Sequence, residues 1–546
     1  MSIPFVRGTG RHPLVQLNPL VDNSDRFTTP VADQTFGVVM TAKRGRIDRA
    51  FTVNFNTLMT KLGRADSMRA NPLNEAWAQL YEALSISNCT AVVSRLVQRT
   101  DEGAASIKWL VLSEPTDGEY SFAVSETEPT TGFVLAFKHL GCHNDGIQAA
   151  VWVESVTTGG IDEDSKTVHV RVADADGEVL FFFRGSTDPS AKDEYGRSLY
   201  LPDVVASQTD EFIVKVKGDH AFEPTDDLYG YTVDGNEKWN VSGVKSCFEE
   251  GGGAYTPGDY QDAVDRLKYA QEDFLYLASG GSASQALLGR LATLAYESNR
   301  QFRFDVPGAF EIEAAIAFAE SLNARSRVEA HLLQAFWMPV KGDDPSGANP
   351  NGHMGASMLN VAMACRRNAV TNARGLADKH YPIAGRRHPI ARSGMRQTGR
   401  VTEQQLNALA RARINPVLFD SFSDGSFCVF RDQITMAPTD NSLRKLISVV
   451  DMSTSIDDQV TRFGKSLINA YPMTMAVKRM KDFLANLFSA AESTGWLVPS
   501  LDMNGNSHSF EVSPNQEWPY DRMDVRYVLR YDGAIRQIVV TQTLSR

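Results

Sequence analysis

The sequence predicts a multidomain α/β protein: an α/β core formed by the N- and C-terminal parts, an inserted β-rich domain and extended terminal arms. Three observations carry this. Apolar strand-like runs alternate with helical patterns on either side of the middle of the chain, the order expected of a sheet covered by helices. From about Thr100 to residue 250 the pattern becomes short alternating runs separated by Gly, Asp, Ser and Thr, as in a mostly β insertion. At 546 residues the chain is also too long for one compact core. The expected divisions are an arm over 1–30, a first core part over 31–99, the insertion over 100–250, a second core part over 251–400, an inner domain over 401–522 and a C-terminal arm over 523–546.

Thr35 to Thr41 reads as a buried strand, followed by a helix from Asn71-Pro72 with Leu73, Trp77, Leu80, Tyr81 and Leu84 on one face and the apolar strand Ala91 to Val97. In the insertion, strands are expected at Ile107–Leu112, Phe133–Phe137, Ile147–Val156, Thr167–Val172, Val179–Phe183 and Phe212–Val216. The alternating scheme resumes with a helix from Thr256-Pro257, a strand at Phe274–Leu277, a helix over Ser284–Ser298 and a strand at Phe302–Val306. A helix near Ile312–Asn323, a strand around Leu332–Met338, a surface loop over Gly342–Gly355 and a helix over Ser357–Thr371 come next. Thr402–Ala412 reads as helix, Pro416–Phe419 and Phe427–Ile434 as strands, and Leu443 opens a long helical tract with breaks at Pro472 and Gly495.

The chain's end is read as a hairpin: Met523–Arg530, a turn at Tyr531-Asp532-Gly533, and the β-branched run Ala534–Arg546. Its outer edge carries Ile535, Ile538, Val539, Val540, Thr541 and Leu544 with no helix or proline to cover it, and an uncovered edge recruits another strand. The partner expected is the proline-bracketed segment His12–Leu20 of a neighbouring copy, with Leu14, Val15 and Leu17 as its apolar positions. The competing reading is that both ends pack within their own subunit.

Composition and charge exclude several classes. A net charge of −11 argues against a protein built to bind nucleic acid or anionic membrane. The start of the chain lacks a basic-then-apolar leader, and no apolar run is long enough to span a bilayer. Five scattered cysteines fit reduced thiols better than a disulfide framework. The Gly251–Gly253 stretch lacks the Gly-Lys-Ser/Thr ending of a phosphate loop, and His139, Cys142 and His143 lack a second cluster to complete a metal set. No nucleophile elbow is present, so no catalytic, cofactor or metal residues are assigned.

Charge is concentrated between Arg366 and Arg400, where nine Lys/Arg face the single acid Asp378. Such a run is usually a solvated face, and with Tyr381 as its only aromatic it does not suit single-strand stacking. Arg386, Arg387 and Arg392 in this segment, and Lys478, Arg479 and Lys481 on the later helix, are two candidate contacts for an acidic protein surface.

Six segments follow one another along the chain: Phe36-Gly-Val-Val-Met-Thr-Ala-Lys-Arg-Gly, Glu75 to Val97, Leu140-Gly-Cys-His-Asn-Asp-Gly-Ile-Gln-Ala, Ala263 to Ala278, Ala412-Arg-Ile-Asn-Pro-Val and Val477 to Trp496. In their order and spacing they resemble the contractile tail sheath proteins of myovirus tails and contractile injection systems. Cys142 and His143 stand where relatives carry an aromatic, and the Thr371–Arg400 region lacks the family's Pro-Ser-Gly phrase. The resemblance implies a non-enzymatic subunit without a cofactor, stacked in hexameric rings around a tail tube and woven together by strands exchanged from both arms. It implies a metastable extended sheath that contracts to drive the tube through a host envelope. It further implies baseplate and terminator or collar partners, the Arg386/Arg387/Arg392 or Lys478/Arg479/Lys481 group facing the tube, no direct nucleic-acid contact and no membrane insertion. The expected location is a virion tail assembled in the bacterial cytoplasm. The alternative is an oligomeric α/β enzyme or anion-binding protein using the 366–400 segment.

Overall fold

Residues 31–98, 105–115, 120–153, 156–158, 161–163, 166–218, 220–222, 230–233, 237–250 and 254–543 are described by a computed structural model. Leu14, Val15, Leu17 and Leu544 lie outside the described residues.

The strands of the central sheet are β1 (Thr35–Met40), β2 (Phe51–Val53), β3 (Thr90–Arg95), β4 (Tyr276–Ala278), β5 (Gln301–Val306), β6 (Leu333–Trp337), β7 (Pro389–Ile390), β8 (Ile414–Phe422) and β9 (Gly425–Phe430). Their order is β2-β3-β1-β4-β5-β6-β8-β9-β7. The run from β3 to β8 is parallel, with antiparallel strands at both margins. Parallel strands need crossovers, which here are helices on both faces. One face packs Leu267, Leu291, Leu294, Ala315 and Leu409 over Phe302, Phe304 and Trp337. The other packs Trp77, Leu80, Leu84, Val361 and Cys365 over Phe36, Val38 and Tyr276.

Helix starts follow their caps. Thr256 and Asp259 form a reciprocal capping box at Pro257–Lys268, Thr402 and Gln405 another at Glu403–Arg411, and Ser284 caps Gln285–Ser298. Asn71 caps the turn Pro72–Asn74 that leads into Glu75–Ile86.

β5 reads Gln-Phe-Arg-Phe-Asp-Val, an alternation that ordinarily marks one wet face, yet all six residues are buried. Its polar face is satisfied inside the protein. Arg303 donates to Gln334 Oε1 (2.9 Å), to the Asn360 side chain (2.7 Å) and to Asp451 Oδ1 (3.5 Å). Arg367 donates to Asp451 Oδ2 (2.9 Å) and Gln301 Nε2 to Asp451 Oδ1 (2.7 Å). Beside them Lys379 pairs with Asp33 at 2.9 Å, both buried. Burial alone would raise the Asp451 carboxyl, but Arg367, Arg303 and Lys379 together hold it below its ordinary value.

The insertion has its own core. One antiparallel sheet contains Ile147–Val153, Thr167–Asp174 and Val179–Ser186, and a second contains Trp109–Ser113, Phe122–Ser125, Phe133–His139 and Phe212–Val216. Leu110, Phe137, Val151, Val170, Phe183 and Phe212 fill the space between them. The helix Leu201–Gln208, not expected from the sequence, closes one side with Leu201 and Val205 buried. A Cβ at Gly185 would stand 2.8 Å from the Leu201 backbone, so glycine allows that approach.

Buried arginines fix the insertion to the sheet. Arg44 pairs with Asp174 (2.8 Å) and Asp145 (2.6 Å), while Arg95 donates to the carbonyls of Cys142 (2.6 Å) and Gly45 (3.0 Å). His139 and His143 lie at this seam with rings 4.6 Å apart. Burial, then the charges of Arg44 and Arg46, holds His139 down to about 4, so it packs as a neutral ring. Among the described residues no cluster of three or more His, Cys, Asp or Glu is arranged to hold a metal.

Beyond β9 the chain forms two long antiparallel helices, Ile447–Leu467 and Met473–Thr494, joined through Ile468–Pro472. Phe463 and Phe483 stack at 4.1 Å between them. The reading of Gly342–Gly355 as plain surface loop is corrected in part: short strands at Val340–Gly342 and Gly352–His353 flank it, and Asp344 and Asn349 are buried.

Replacing Asp451 with Ala leaves Arg303 and Arg367 facing each other without a counter-charge. A loss of about 3–5 kcal/mol is expected in chemical denaturation; a loss below about 1 kcal/mol would show that the network is incidental.

Candidate inter-subunit surface

The C-terminal strands do not form the expected hairpin. Met523–Leu529 pairs with the preceding strand His508–Pro514, in register His508↔Leu529 through Pro514↔Met523. The ribbon is held on the second long helix by Phe488, whose ring lies 5.7 Å from Phe510 and 5.5 Å from Tyr527. Tyr527 also donates its hydroxyl to Asp457. The sequence pointed to Asp532-Gly533 as a hairpin turn, but the chain is drawn elsewhere there. Tyr531 bridges to Leu497, and the Asp532 amide donates to the Trp496 carbonyl at 3.0 Å.

From Ala534 to Thr543 the chain forms no strand or helix. Arg536 ties it down by donating to Asp432 at 2.8 Å. On either side of that anchor the apolar residues face water: Ile535 is 84% exposed, Ile538 79%, Val539 91% and Val540 84%, with Thr541 exposed as well. Four β-branched side chains in six residues, all solvated, form a segment that lacks both a sheet and a core. The strand edge expected over Ile535–Thr541 does not form within this chain.

The basic segment is largely spent on the protein's own acids. Arg392 is buried and makes a two-armed contact with Glu82 (2.7 Å each), and donates to the carbonyls of Met354 and Gly355. It is therefore corrected from a surface contact to an internal strut. Arg367 and Lys379 belong to the Asp451 and Asp33 pairs. Arg386 is exposed, pairs with Asp424 and lies 3.7 Å over the Phe427 ring, while Arg387 is exposed and lies 4.3 Å over Tyr381. Lys478, Arg479 and Lys481 are all exposed on the second long helix, with Arg479 4.1 Å over Tyr471.

The carboxyl ends of parallel strands are where α/β folds place active sites. Here that position is filled from within. Asp305 Oδ1 accepts from the amides of Ala356 and Ser357 (2.9 Å each), and Oδ2 accepts from the Gly281 amide (3.1 Å), Gln79 Nε2 (3.0 Å) and the Ser357 hydroxyl (2.5 Å). Glu75 Oε1 accepts from the Gly355 amide (2.6 Å) and Gln79 Nε2 (2.9 Å). A Cβ at Gly281 would fall 2.3 Å from the Glu75 carboxyl, and one at Gly355 2.3 Å from that of Asp305. The carboxylates cap the Ser357–Asn368 helix and fill their own space.

Two exposed features were missed from sequence. One is the ribbon loop, where Trp518 and Tyr520 stand in solvent; the aromatic-Pro-aromatic phrase Trp518-Pro519-Tyr520 was the available signal. The other is a cleft of about 790 Å³ beside the basic segment, lined by Arg366, Tyr381 and Arg387 among others. No local sequence pattern announces it, because its walls come from distant segments.

No family model and no curated protein matches the chain. Among solved structures it is similar to a sheath tail protein from Desulfitobacterium hafniense, at 12% identity and a TM-score of 0.48, over 92% of this chain and 96% of that one. It is similar to a chain of the anti-feeding prophage baseplate at 14% identity and a TM-score of 0.40, over 56% of this chain and 78% of that one. It is also similar to a chain of an extracellular contractile injection system, the PVC sheath complex in its contracted state, at 15% identity and a TM-score of 0.40, over 51% and 74%.

Glu75 provides a pH test. Burial and the neighbouring Asp305 charge raise its carboxyl from 4.5 to about 7. A raised acid favours the fold while protonated, so its contribution is complete below pH 4.5 and is lost as pH climbs through 7. Glu75→Gln is therefore expected to raise the Tm at pH 8 and to leave it nearly unchanged at pH 4. An equal shift at both values would contradict the assignment.

Proposed function

We propose that this chain is a structural subunit of a contractile tail sheath, stacking in rings around a tail tube and linked to its neighbours by strands donated from its terminal arms. The observation that carries the reading is the run Ile535–Val540, outside any strand or helix and with four β-branched side chains in solvent, which a second copy can complete by main-chain pairing. Such pairing suits a sheath because hydrogen bonds along an added strand hold subunits together while the linking segments bend. In this reading the insertion over 100–250 faces outward, the two long helices face the tube, and contraction exchanges one set of contacts for another of lower free energy. Baseplate and collar proteins meet the two ends of the stack. The energy is stored at assembly, so no nucleotide or cofactor is used and the chain is not an enzyme.

Of the two basic groups, Lys478, Arg479 and Lys481 make the better tube contact. They share an exposed helical tract, whereas Arg392 is buried and Arg386 is neutralised by Asp424. Among the described residues no helix is long and apolar enough to cross a membrane.

Two experiments test this. Ending the chain after Asp532 is expected to abolish tubes and helical polymers in negative-stain images while circular dichroism still reports a folded monomer. Polymers that persist in the truncated chain would contradict the reading. Reversing Lys478, Arg479 and Lys481 to Glu is expected to abolish salt-sensitive co-sedimentation with the tube while leaving self-assembly intact. Unchanged co-sedimentation would remove this group from the tube contact.

A further inference from the structure

The ribbon loop and the cleft beside the basic segment complement each other in charge and in apolar character. The loop is built to be presented. Asn515 Oδ1 accepts from the amides of Glu517 (3.0 Å) and Trp518 (2.9 Å), the Asn515 amide donates to the Arg522 carbonyl (2.8 Å), and the Arg522 amide donates back to that of Trp518 (3.1 Å). On this rigid turn Trp518 is 60% exposed and Tyr520 94%, flanked by the exposed acids Glu517 and Asp521. Two large aromatics held in solvent on a preorganised turn have little ordering entropy left to lose on binding.

The cleft offers the opposite surface. Its floor is apolar, with Ile86, Leu359, Met363 and Ile390, and it is lined by Arg366, Arg367 and Arg387 against Glu82 and Asp378. Arg367 is committed to Asp451 and Glu82 to Arg392, which leaves the exposed Arg366 and Arg387 against Asp378. Arg387 already lies over one aromatic ring, Tyr381, at 4.3 Å. His388 is in the same wall with its Nε2 buried and unpartnered. Burial, then the charges of Arg387, Arg367 and Arg366, holds its ring down to about 4, a sign of local positive potential.

The loop cannot reach the cleft of its own chain by way of the ribbon. The ribbon's anchored end is at Tyr531 and Leu497, next to Trp496, whose indole donates to the Ala377 carbonyl at 2.8 Å near the cleft wall. The loop is at the opposite end, seven residues or roughly 20 Å along the strand. We propose that the Glu517–Asp521 loop of one copy seats in the Arg366/Arg387 cleft of a second copy, Trp518 and Tyr520 entering over the apolar floor and Glu517 and Asp521 meeting the two arginines. This rests on the self-assembly reading above and adds to it a side-chain lock separate from the strand-donating tail.

Charge exchange tests it in the full chain. Arg366→Glu with Arg387→Glu, and separately Glu517→Arg with Asp521→Arg, are each expected to raise the concentration needed for polymers by about tenfold or more in sedimentation. Combining all four substitutions is expected to recover most of that loss, which misfolding would not. A second check mixes Tyr520→Cys and Arg387→Cys chains, the five native cysteines being buried; a disulfide-linked dimer should form in the mixture and in neither chain alone. If the paired reversals polymerise like the parent, if the fourfold variant is not rescued, or if no mixed dimer forms while the parent still polymerises, this lock is wrong and assembly through the tail stands. If the parent chain forms no polymers at all, the self-assembly reading itself fails and takes the lock with it.

Discussion

The buried contact among Asp451, Arg303 and Arg367 is the constraint on which the rest of the molecule depends. It joins three elements that are far apart in sequence: β5 in the middle of the sheet, the helix Ser357–Asn368 on one face, and the first of the two long C-terminal helices. The second long helix and the ribbon follow that helix in the chain and pack with it. The tail has a separate tie close to the sheet, where Arg536 pairs with Asp432, two residues beyond β9. An ion cluster suits such a junction because its geometry is directional, whereas apolar packing tolerates sliding.

The seam between the sheet and the insertion uses the same device. Arg44 and Arg95 are buried; Arg44 donates to Asp174 and Asp145, and Arg95 to the backbone carbonyls of Cys142 and Gly45. Buried cations of this kind would carry a heavy desolvation cost without such partners. Two buried ionic joints of this type and one solvated tail divide the described chain into packed bodies and a segment with exposed apolar side chains. The proposal of a woven sheath uses that division: rigid bodies exchange contacts while paired strands keep them connected.

Local structure was largely legible in the sequence, because its signals are local. The capping residues Thr256, Ser284 and Thr402 mark their helices, Pro472 and Gly495 mark the breaks in the long helical tract, and β1, β3 and β5 stand within a residue or two of the expected runs. What was hidden depends on partners distant in the chain. The positive run over 366–400 reads as a surface, but Arg392 finds Glu82 some 310 positions away and Lys379 finds Asp33 across 346. The terminal hairpin was misjudged because a strong turn signal at Asp532-Gly533 competes with a longer strand pairing. Phe510, Tyr527 and Phe488 settle that pairing by packing together, and turn chemistry alone does not contain it.

The most direct measurement is backbone amide hydrogen exchange over 535–543, made on the monomer and on assembled polymers of the same chain. The account predicts fast exchange in the monomer and strong protection in the polymer of those amides that face the acceptor edge, at least every second one along the donated strand, as each gains a carbonyl from another copy. A run in which no amide becomes protected in the polymer, or one already protected in the monomer, would contradict it.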